Sequence, residues 1–259
     1  MLKVPVKRGS QDYFTERTQP ILAYDCSVIG ESSMAIGRLA DKAAEHTRDA
    51  FDVMRSMPSA ELFVLLSEAG RIFRDQDLYF GDKKLTPNER DKLVTLSTGL
   101  PISTVQTCRQ FLGDALENMQ GVIAAQMPNN DIGYLDDYVG VNFAFVPAGK
   151  NLGVICPSNH PSVNAVWLMA YASKMPVVLK PGSEDLFTPL MLTEALYQAG
   201  LPEDSLHYLP HPQPDNGNFV RELFSAVDLG MIFGSQSVVS QYRNNPSIKT
   251  YGPGNSKSV

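Results

Sequence analysis

No run of lysine or arginine occurs in this sequence, and acidic residues outnumber basic ones, 28 against 22, for a net charge of −6. A protein built around nucleic acid carries a basic face, so that class is set aside. Cysteine is scarce: Cys26, Cys108 and Cys156 are an odd number at wide spacing. They make neither a disulfide framework nor a CxxC metal motif, which fits a reducing cytoplasm. The first eleven residues have no apolar core of the kind a secretory signal carries, so no signal peptide is expected. Glycine and proline, 19 and 18 residues, are at ordinary frequency, which excludes a fibrous or low-complexity chain. An uninterrupted membrane span is also missing. Residues 151–173 hold no charge, but Pro157, Ser158, Asn159, His160, Pro161, Ser162 and Asn164 break the segment at a cost lipid would not tolerate.

What is present is an ordinary globular composition. Hydrophobic residues make up 43% and charged residues 19% of 259 residues, enough to bury a sizeable core and too apolar for disorder. At ~150 residues per domain, the length suits one large domain or two small ones.

Residues 1–30 have no clear period. Over 34–54, Ile36, Leu39, Ala43, Thr47, Ala50, Phe51 and Met54 recur at helical steps, and Pro58 ends the pattern. Ser59 can cap a second helix with Leu62, Leu65, Leu66, Ala69, Ile72 and Phe73 on its inner face. A charged connector covers 74–84. Thr86-Pro87-Asn88-Glu89 is a capping box with proline at the first helical position, and Gly99 with Pro101 closes the helix. Residues 103–121 form one more amphipathic helix. Residues 134–146, rich in aromatic and β-branched side chains, read as one or two extended strands. Beyond them, short apolar runs at 153–156, 176–179, 206–209 and 229–233 alternate with helical segments at 163–173, 186–199, 219–226 and 236–244. That alternation implies right-handed βαβ units and a parallel sheet, hence an α/β fold.

In an open parallel sheet, ligands sit beyond the carboxyl ends of the strands, so the residues after each run are the informative ones. Pro157-Ser158-Asn159-His160-Pro161 follows the first run. An Asn in a proline-stiffened turn can donate to a developing oxyanion, though taken alone it is more often a cap or turn residue. His160 is a possible base with no identifiable partner, and a lone loop histidine is more often structural. Lys180-Pro181-Gly182-Ser183-Glu184 follows the second run and could hold ribose hydroxyls or phosphate, or be a plain charged turn. Phe233-Gly234-Ser235-Gln236 follows the fourth and offers backbone N–H groups and a hydroxyl to a pyrophosphate, a weak signal alone. Tyr251-Gly252-Pro253-Gly254-Asn255 is a tight turn of the same general kind.

In this order the pieces resemble the aldehyde dehydrogenase superfamily over roughly residues 31–259. Gly153-Val154-Ile155-Cys156-Pro157-Ser158-Asn159-His160-Pro161 looks like its strand and Pro-x-Asn-x-Pro turn. Val177-Val178-Leu179-Lys180-Pro181 looks like its Val-Val-Leu-Lys-Pro, and Gln198-Ala199-Gly200-Leu201-Pro202 like its Glu-Ala-Gly-Leu-Pro. Phe233-Gly234-Ser235 stands where the family has Thr-Gly-Ser. Segment 34–74 and Ser97-Thr98-Gly99-Leu100-Pro101 resemble its helical leader.

The resemblance implies a helical leader (1–130), an oligomerisation flap of extended strands (131–148) and a Rossmann-like NAD(P)-binding domain (149–259), with the catalytic domain absent. It implies attack of a Cys thiolate on an aldehyde and hydride transfer to NAD or NADP. Asn159 becomes the oxyanion donor. Lys180, Ser183 and Glu184 become ribose-side contacts, and Pro157, Ser158, Gly234, Ser235 and Gly252 become further coenzyme contacts; no metal is expected. The sequence ends at Val259 before the family's nucleophile, and Cys156 reads as a small buried residue. Tyr251-Gly252-Pro253-Gly254-Asn255 has no carboxylate where hydrolytic members carry a water-activating Glu. It is similar to the CoA-acylating and acyl-CoA reductase branch, in which a thiol such as coenzyme A resolves the thioester. Expected partners are an aldehyde or acyl substrate and a second copy or a complementing catalytic half, in the cytoplasm, with no nucleic acid or membrane. The rival reading is a non-catalytic or degenerate dinucleotide binder, or an interaction module.

Overall fold

The computed structural model describes residues 2–81, 83–136, 146–211 and 217–253. The chain opens with five short strands, β1 (Leu2–Val4), β2 (Val6–Arg8), β3 (Gln11–Tyr13), β4 (Thr18–Leu22) and β5 (Val28–Ser33). Helices α1 (Gly37–Ser56) and α2 (Ser59–Asp75) follow. A hairpin of β6 (Leu78–Phe80) and β7 (Lys83–Leu85) leads to α3 (Pro87–Thr98), α4 (Ile102–Glu117) and α5 (Met119–Ala124). The second half alternates: β8 (Leu152–Ile155), α6 (Ala165–Ala172), β9 (Val177–Lys180), α7 (Phe187–Gln198), β10 (Leu206–Tyr208), α8 (Asn218–Ala226), β11 (Leu229–Phe233), α9 (Gln236–Val239) and β12 (Ile248–Tyr251).

The main sheet has the order β12-β11-β8-β9-β10-β2-β3. Its first five members are mutually parallel, while β2 and β3 extend it antiparallel. The α/β expectation of a Rossmann-like parallel sheet therefore holds. The chain runs outward from β8 to β9 to β10, then crosses back to place β11 on the other side of β8. The order reverses between β8 and β11, the point where open α/β sheets open a crevice.

Helix formation follows the apolar spacing. α1 buries Ala40, Ala43, Ala44, Thr47, Ala50, Phe51 and Met54, a stripe at steps of three and four. α3 carries the full capping box between Thr86 and Glu89, and Gly99 ends it at φ 72°, a left-handed turn that favours glycine.

Several sequence expectations need correction. The aperiodic start holds five strands, each too short to display a period. The 74–84 connector contains most of the β6–β7 hairpin, in which buried Leu78 and Phe80 flank exposed Tyr79. The helix expected over 103–121 breaks at Asn118 into α4 and α5. Ser59 does not cap α2 with its side chain; Pro58 is the cap residue. Instead Ser59 donates its N–H and its hydroxyl to Asp136, whose carboxylate also accepts from the buried Lys174 ammonium. Of the strands expected over 134–146, Ile132–Leu135 is a single 3-10 turn nucleated by the Asp131 side chain on the Gly133 N–H, and 137–145 lie outside the described residues. The helix expected over 163–173 starts as a 3-10 turn at Pro161–Asn164, and that over 236–244 is only Gln236–Val239. Tyr251 is the last residue of β12, a strand the sequence reading took for a turn.

Asn151, fully buried just before β8, ties three elements together. Its amide donates to the Ala44 carbonyl at 2.8 Å and to Thr47 Oγ1 at 3.0 Å on α1. Its oxygen accepts the Asp228 N–H at 2.8 Å, at the start of β11. Removing it strands buried donors and acceptors, each of which costs ~1–3 kcal/mol. Asn151→Ala is expected to lower unfolding stability by about 2–4 kcal/mol in urea denaturation. Thr86→Ala, an exposed cap, should cost only about 1 kcal/mol in the same experiment.

Candidate functional site

The carboxyl ends of β8, β11 and β12 enclose a cleft of about 530 Å3 lined by Pro157, Ser158, Asn159, Val163, Phe233, Gly234, Ser235, Tyr251, Gly252 and Pro253. Parallel register brings these residues together. Phe233 of β11 pairs directly with Tyr251 of β12, and the Gly234 N–H donates to the Tyr251 carbonyl at 3.1 Å. The two rings stack with centroids 4.7 Å apart and form an aromatic wall. Ser235 precedes α9, and Asn159 is exposed on the turn after β8.

That turn is fastened to the next strand. The Cys156 N–H donates to the Lys180 carbonyl at 2.8 Å, extending the β8–β9 ladder. The Ser183 N–H donates to Ser158 Oγ at 3.1 Å. Gly182 is packed so closely that a Cβ there would sit 2.5 Å from the Pro157 carbonyl oxygen and 2.5 Å from Ser158 Oγ.

Of the sequence candidates, Pro157, Ser158, Asn159, Gly234, Ser235 and Gly252 share this cleft. Ser183 and Glu184 do not line it. They face a neighbouring cleft of about 590 Å3 bounded by β4 residues, Tyr24, Ser97 and Thr98. Lys180, half-buried at the end of β9, directs its ammonium to the Pro181 carbonyl at 3.3 Å. The aromatic wall was missed. Its signal was an aromatic residue closing each of two adjacent parallel strands, and it was hidden because β12 was not read as a strand.

His160 has partners after all. Its Nδ1 lies 2.7 Å from Ser162 Oγ, and its ring nitrogens lie 3.8 Å from Cys108 Sγ. Cys108 and Cys156 are poor nucleophiles, and the exposed Cys26 does not line the cleft. Cys156 is fully buried and burial pushes its thiol far up; burial also raises the Cys108 thiol. A neutral thiol attacks slowly.

Among the described residues, none that lines the cleft carries a charged side chain, in an acidic protein. An anionic diphosphate would meet hydroxyls, amides and glycine backbone there, with no carboxylate to repel it. The one strongly perturbed acid nearby is underneath. Asp185 is buried at the head of α7, where its Oδ1 accepts the Thr188 N–H at 2.9 Å while Oδ2 has no hydrogen-bond partner. Burial raises its pKa to about 6.

A parallel α/β sheet with a neutral, glycine-edged cleft at its switch point belongs to the class that binds nucleotide-like ligands. Comparison with known proteins narrows this. The aldehyde dehydrogenase family matches residues 10–247, and the chain belongs to that family. A malonate-semialdehyde dehydrogenase of Pseudomonas aeruginosa is 29% identical over 182 residues, covering 67% of this chain and 33% of that protein. Among solved structures, an NADP-dependent enzyme of E. coli superposes with a TM-score of 0.77 at 16% identity, covering 98% of this chain and 52% of the other. An indole-3-acetaldehyde dehydrogenase in complex with NAD+ superposes with a TM-score of 0.76 at 18% identity, covering 97% and 50%. The chain thus spans about a third of the curated relative and about half of each solved chain. No helix among the described residues is long and apolar enough to cross a membrane.

Asp185 gives a pH prediction. Its folded pKa is raised, so its contribution to stability is fully present below the unfolded value near 4 and is lost as pH rises through about 6. Wild type should therefore lose up to about 2–3 kcal/mol relative to Asp185→Asn between pH 4 and pH 6.5, and track it above. Urea midpoints of both proteins across that range check this.

Proposed function

We propose that this chain forms the coenzyme-binding portion of an NAD(P)-dependent aldehyde dehydrogenase, which interconverts an aldehyde with an acid or acyl-CoA through a Cys thioester. The observation that carries the reading is the shared cleft of Asn159, Gly234, Ser235 and Gly252 at the switch point. Family membership supports it.

The residues present suit a dinucleotide. Ser235, Gly234 and Gly252 offer a hydroxyl and close backbone approach to a diphosphate without acidic repulsion. Lys180, Ser183 and Glu184, one loop away, are assigned to the ribose side, since ribose hydroxyls need both donors and acceptors. Phe233 and Tyr251 supply a flat apolar wall. When bound, the dinucleotide supplies the hydride acceptor. Asn159 donates its amide N–H to the aldehyde oxygen as negative charge develops there. The Gly182 contact keeps that amide in place, so little reorganisation is needed at the moment of reaction.

The thiolate is assigned to a catalytic portion that is not among these residues, because Cys108 and Cys156 are buried and held neutral. The same cleft favours a thiol acceptor over water. Among the described residues its lining contains no carboxylate to act as general base, which is what a CoA-acylating enzyme can do without.

Fluorescence titration of the full chain with NADH and NADPH tests the proposal. Saturable binding of at least one is expected. Gly182→Ala should weaken it by about tenfold or more, since the turn must shift, while Asn159→Ala should leave it little changed. A folded chain that binds neither nucleotide overturns the reading in favour of an interaction module. The chain alone should not oxidise aldehydes. Steady turnover that is lost in Cys108→Ser would overturn the assignment of the nucleophile to another portion.

A further inference from the structure

Away from the cleft, a second cluster of chemistry-bearing side chains joins α1 to β10. His46 lies on α1, Asp204 on the turn before β10, and His207 within that strand. His46 Nδ1 and His207 Nε2 each lie 3.4 Å from the same oxygen, Asp204 Oδ1. One donor atom from each residue falls within 4.8 Å of the other two. The imidazole rings are 5.8 Å apart and tilted by 56°.

Two features set this cluster apart from a surface ion pair. His207 is 1% exposed, and its Nε2 is buried without a hydrogen-bond partner although it points at Asp204. At 3.4 Å the carboxylate is near, but the alignment makes no hydrogen bond. An orphaned buried ring nitrogen costs free energy unless something satisfies it. Asp204 itself adopts φ 60°, a left-handed conformation that aspartate tolerates at some cost, and it holds the carboxylate between the two rings.

We infer that His46, Asp204 and His207 form a binding site for a divalent transition metal of the zinc type. The separations fit. Four-coordinate zinc holds nitrogen and oxygen ligands at roughly 2.0–2.1 Å, so neighbouring ligand atoms of the tetrahedron stand about 3.3–3.5 Å apart. Both histidine–carboxylate separations have this value. His46 is half-exposed and free to turn the remaining distance inward. Two imidazoles and one carboxylate are a borderline ligand set that suits zinc, cobalt or nickel better than calcium or magnesium.

The surrounding charges are few. Arg8, paired with His207 across β2 and β10, lies close enough to oppose a cation. Glu203 is engaged with the Ser10 N–H at 2.8 Å and is not a ligand. With three protein ligands and side chains of His46 and Asp204 reaching solvent, the fourth position falls to water. A bound ion would clip α1 to the sheet. It would sit on the amino-terminal side of β10, whereas the cleft opens at the carboxyl ends of β8, β11 and β12, so the inference does not rest on the proposed coenzyme site.

Titration of the chelator-treated full chain with Zn2+, and separately with Co2+, tests it. One equivalent of Zn2+ should bind at micromolar or lower free metal and raise the thermal midpoint. Co2+ should give the visible bands of a four-coordinate site. His46→Ala, on a half-exposed helical position, and Asp204→Asn, which keeps the left-handed turn accessible, should each weaken binding by about tenfold or more and abolish the thermal shift. No saturable binding by wild type overturns the inference. So does equal affinity in both variants with their circular dichroism unchanged, because the metal would then be held elsewhere.

Discussion

The close approach of Gly182 to the Pro157 carbonyl is the contact on which the cleft depends. It exists because β8 and β9 are parallel and in register up to Ile155 and Lys180, with one more ladder bond from the Cys156 N–H. Where the ladder ends, both strands turn, and the two turns meet with no space for a side chain at residue 182. A bulkier residue would push the Asn159 turn off the rim. Backbone geometry, not side-chain bonding, therefore sets the position of the most chemically interesting residue.

Electrostatics then decides what the cleft can hold. The chain is acidic overall, and an acidic lining would repel a diphosphate. The lining avoids this with hydroxyls, amides, glycines and aromatic rings. Asp185, just after the second turn, is buried and caps the start of α7 through the Thr188 N–H. Its burial favours the protonated form well above the ordinary aspartate range, which keeps negative charge away from the back of the turns at mildly acidic pH.

β8, β9, β10 and β11 were legible because each is a short apolar run, and α6, α7 and α8 because a helical run follows each of the first three. The Pro157–Pro161 turn, Lys180 and Gly234-Ser235 stood out for a related reason: each directly follows such a run. The first 33 residues were opaque. Their strands span three to six residues, and β2, with β3 beyond it, joins the sheet by pairing with β10 far along the chain, so no local pattern specifies that placement. β12 was hidden as well, because it is a strand through its pairing with β11 and is not itself an apolar run. Asp136 claims Ser59 from across the fold, which a reading of helix caps could not anticipate. Ser183 and Glu184 were read as part of the same site as Asn159, but the sharp turn at Gly182 sends them to the adjacent cleft.

The His46, Asp204 and His207 cluster was invisible for the same reason that β2 was. Its members lie about 160 residues apart and meet only when α1 packs along the β10 edge. β10 has three residues, and on its far side it pairs with the equally short β2. Asn151 fastens the same stretch of α1, at Ala44 and Thr47 on either side of His46, to the β8–β11 side of the sheet through neutral hydrogen bonds. A cation bridging α1 and β10 would complete that attachment. It would also satisfy His207 Nε2, which is buried without a hydrogen-bond partner. The middle of the helix would then be joined to the sheet at two places, by the amide hydrogen bonds of Asn151 where the environment is dry and by coordination where two ligands reach solvent.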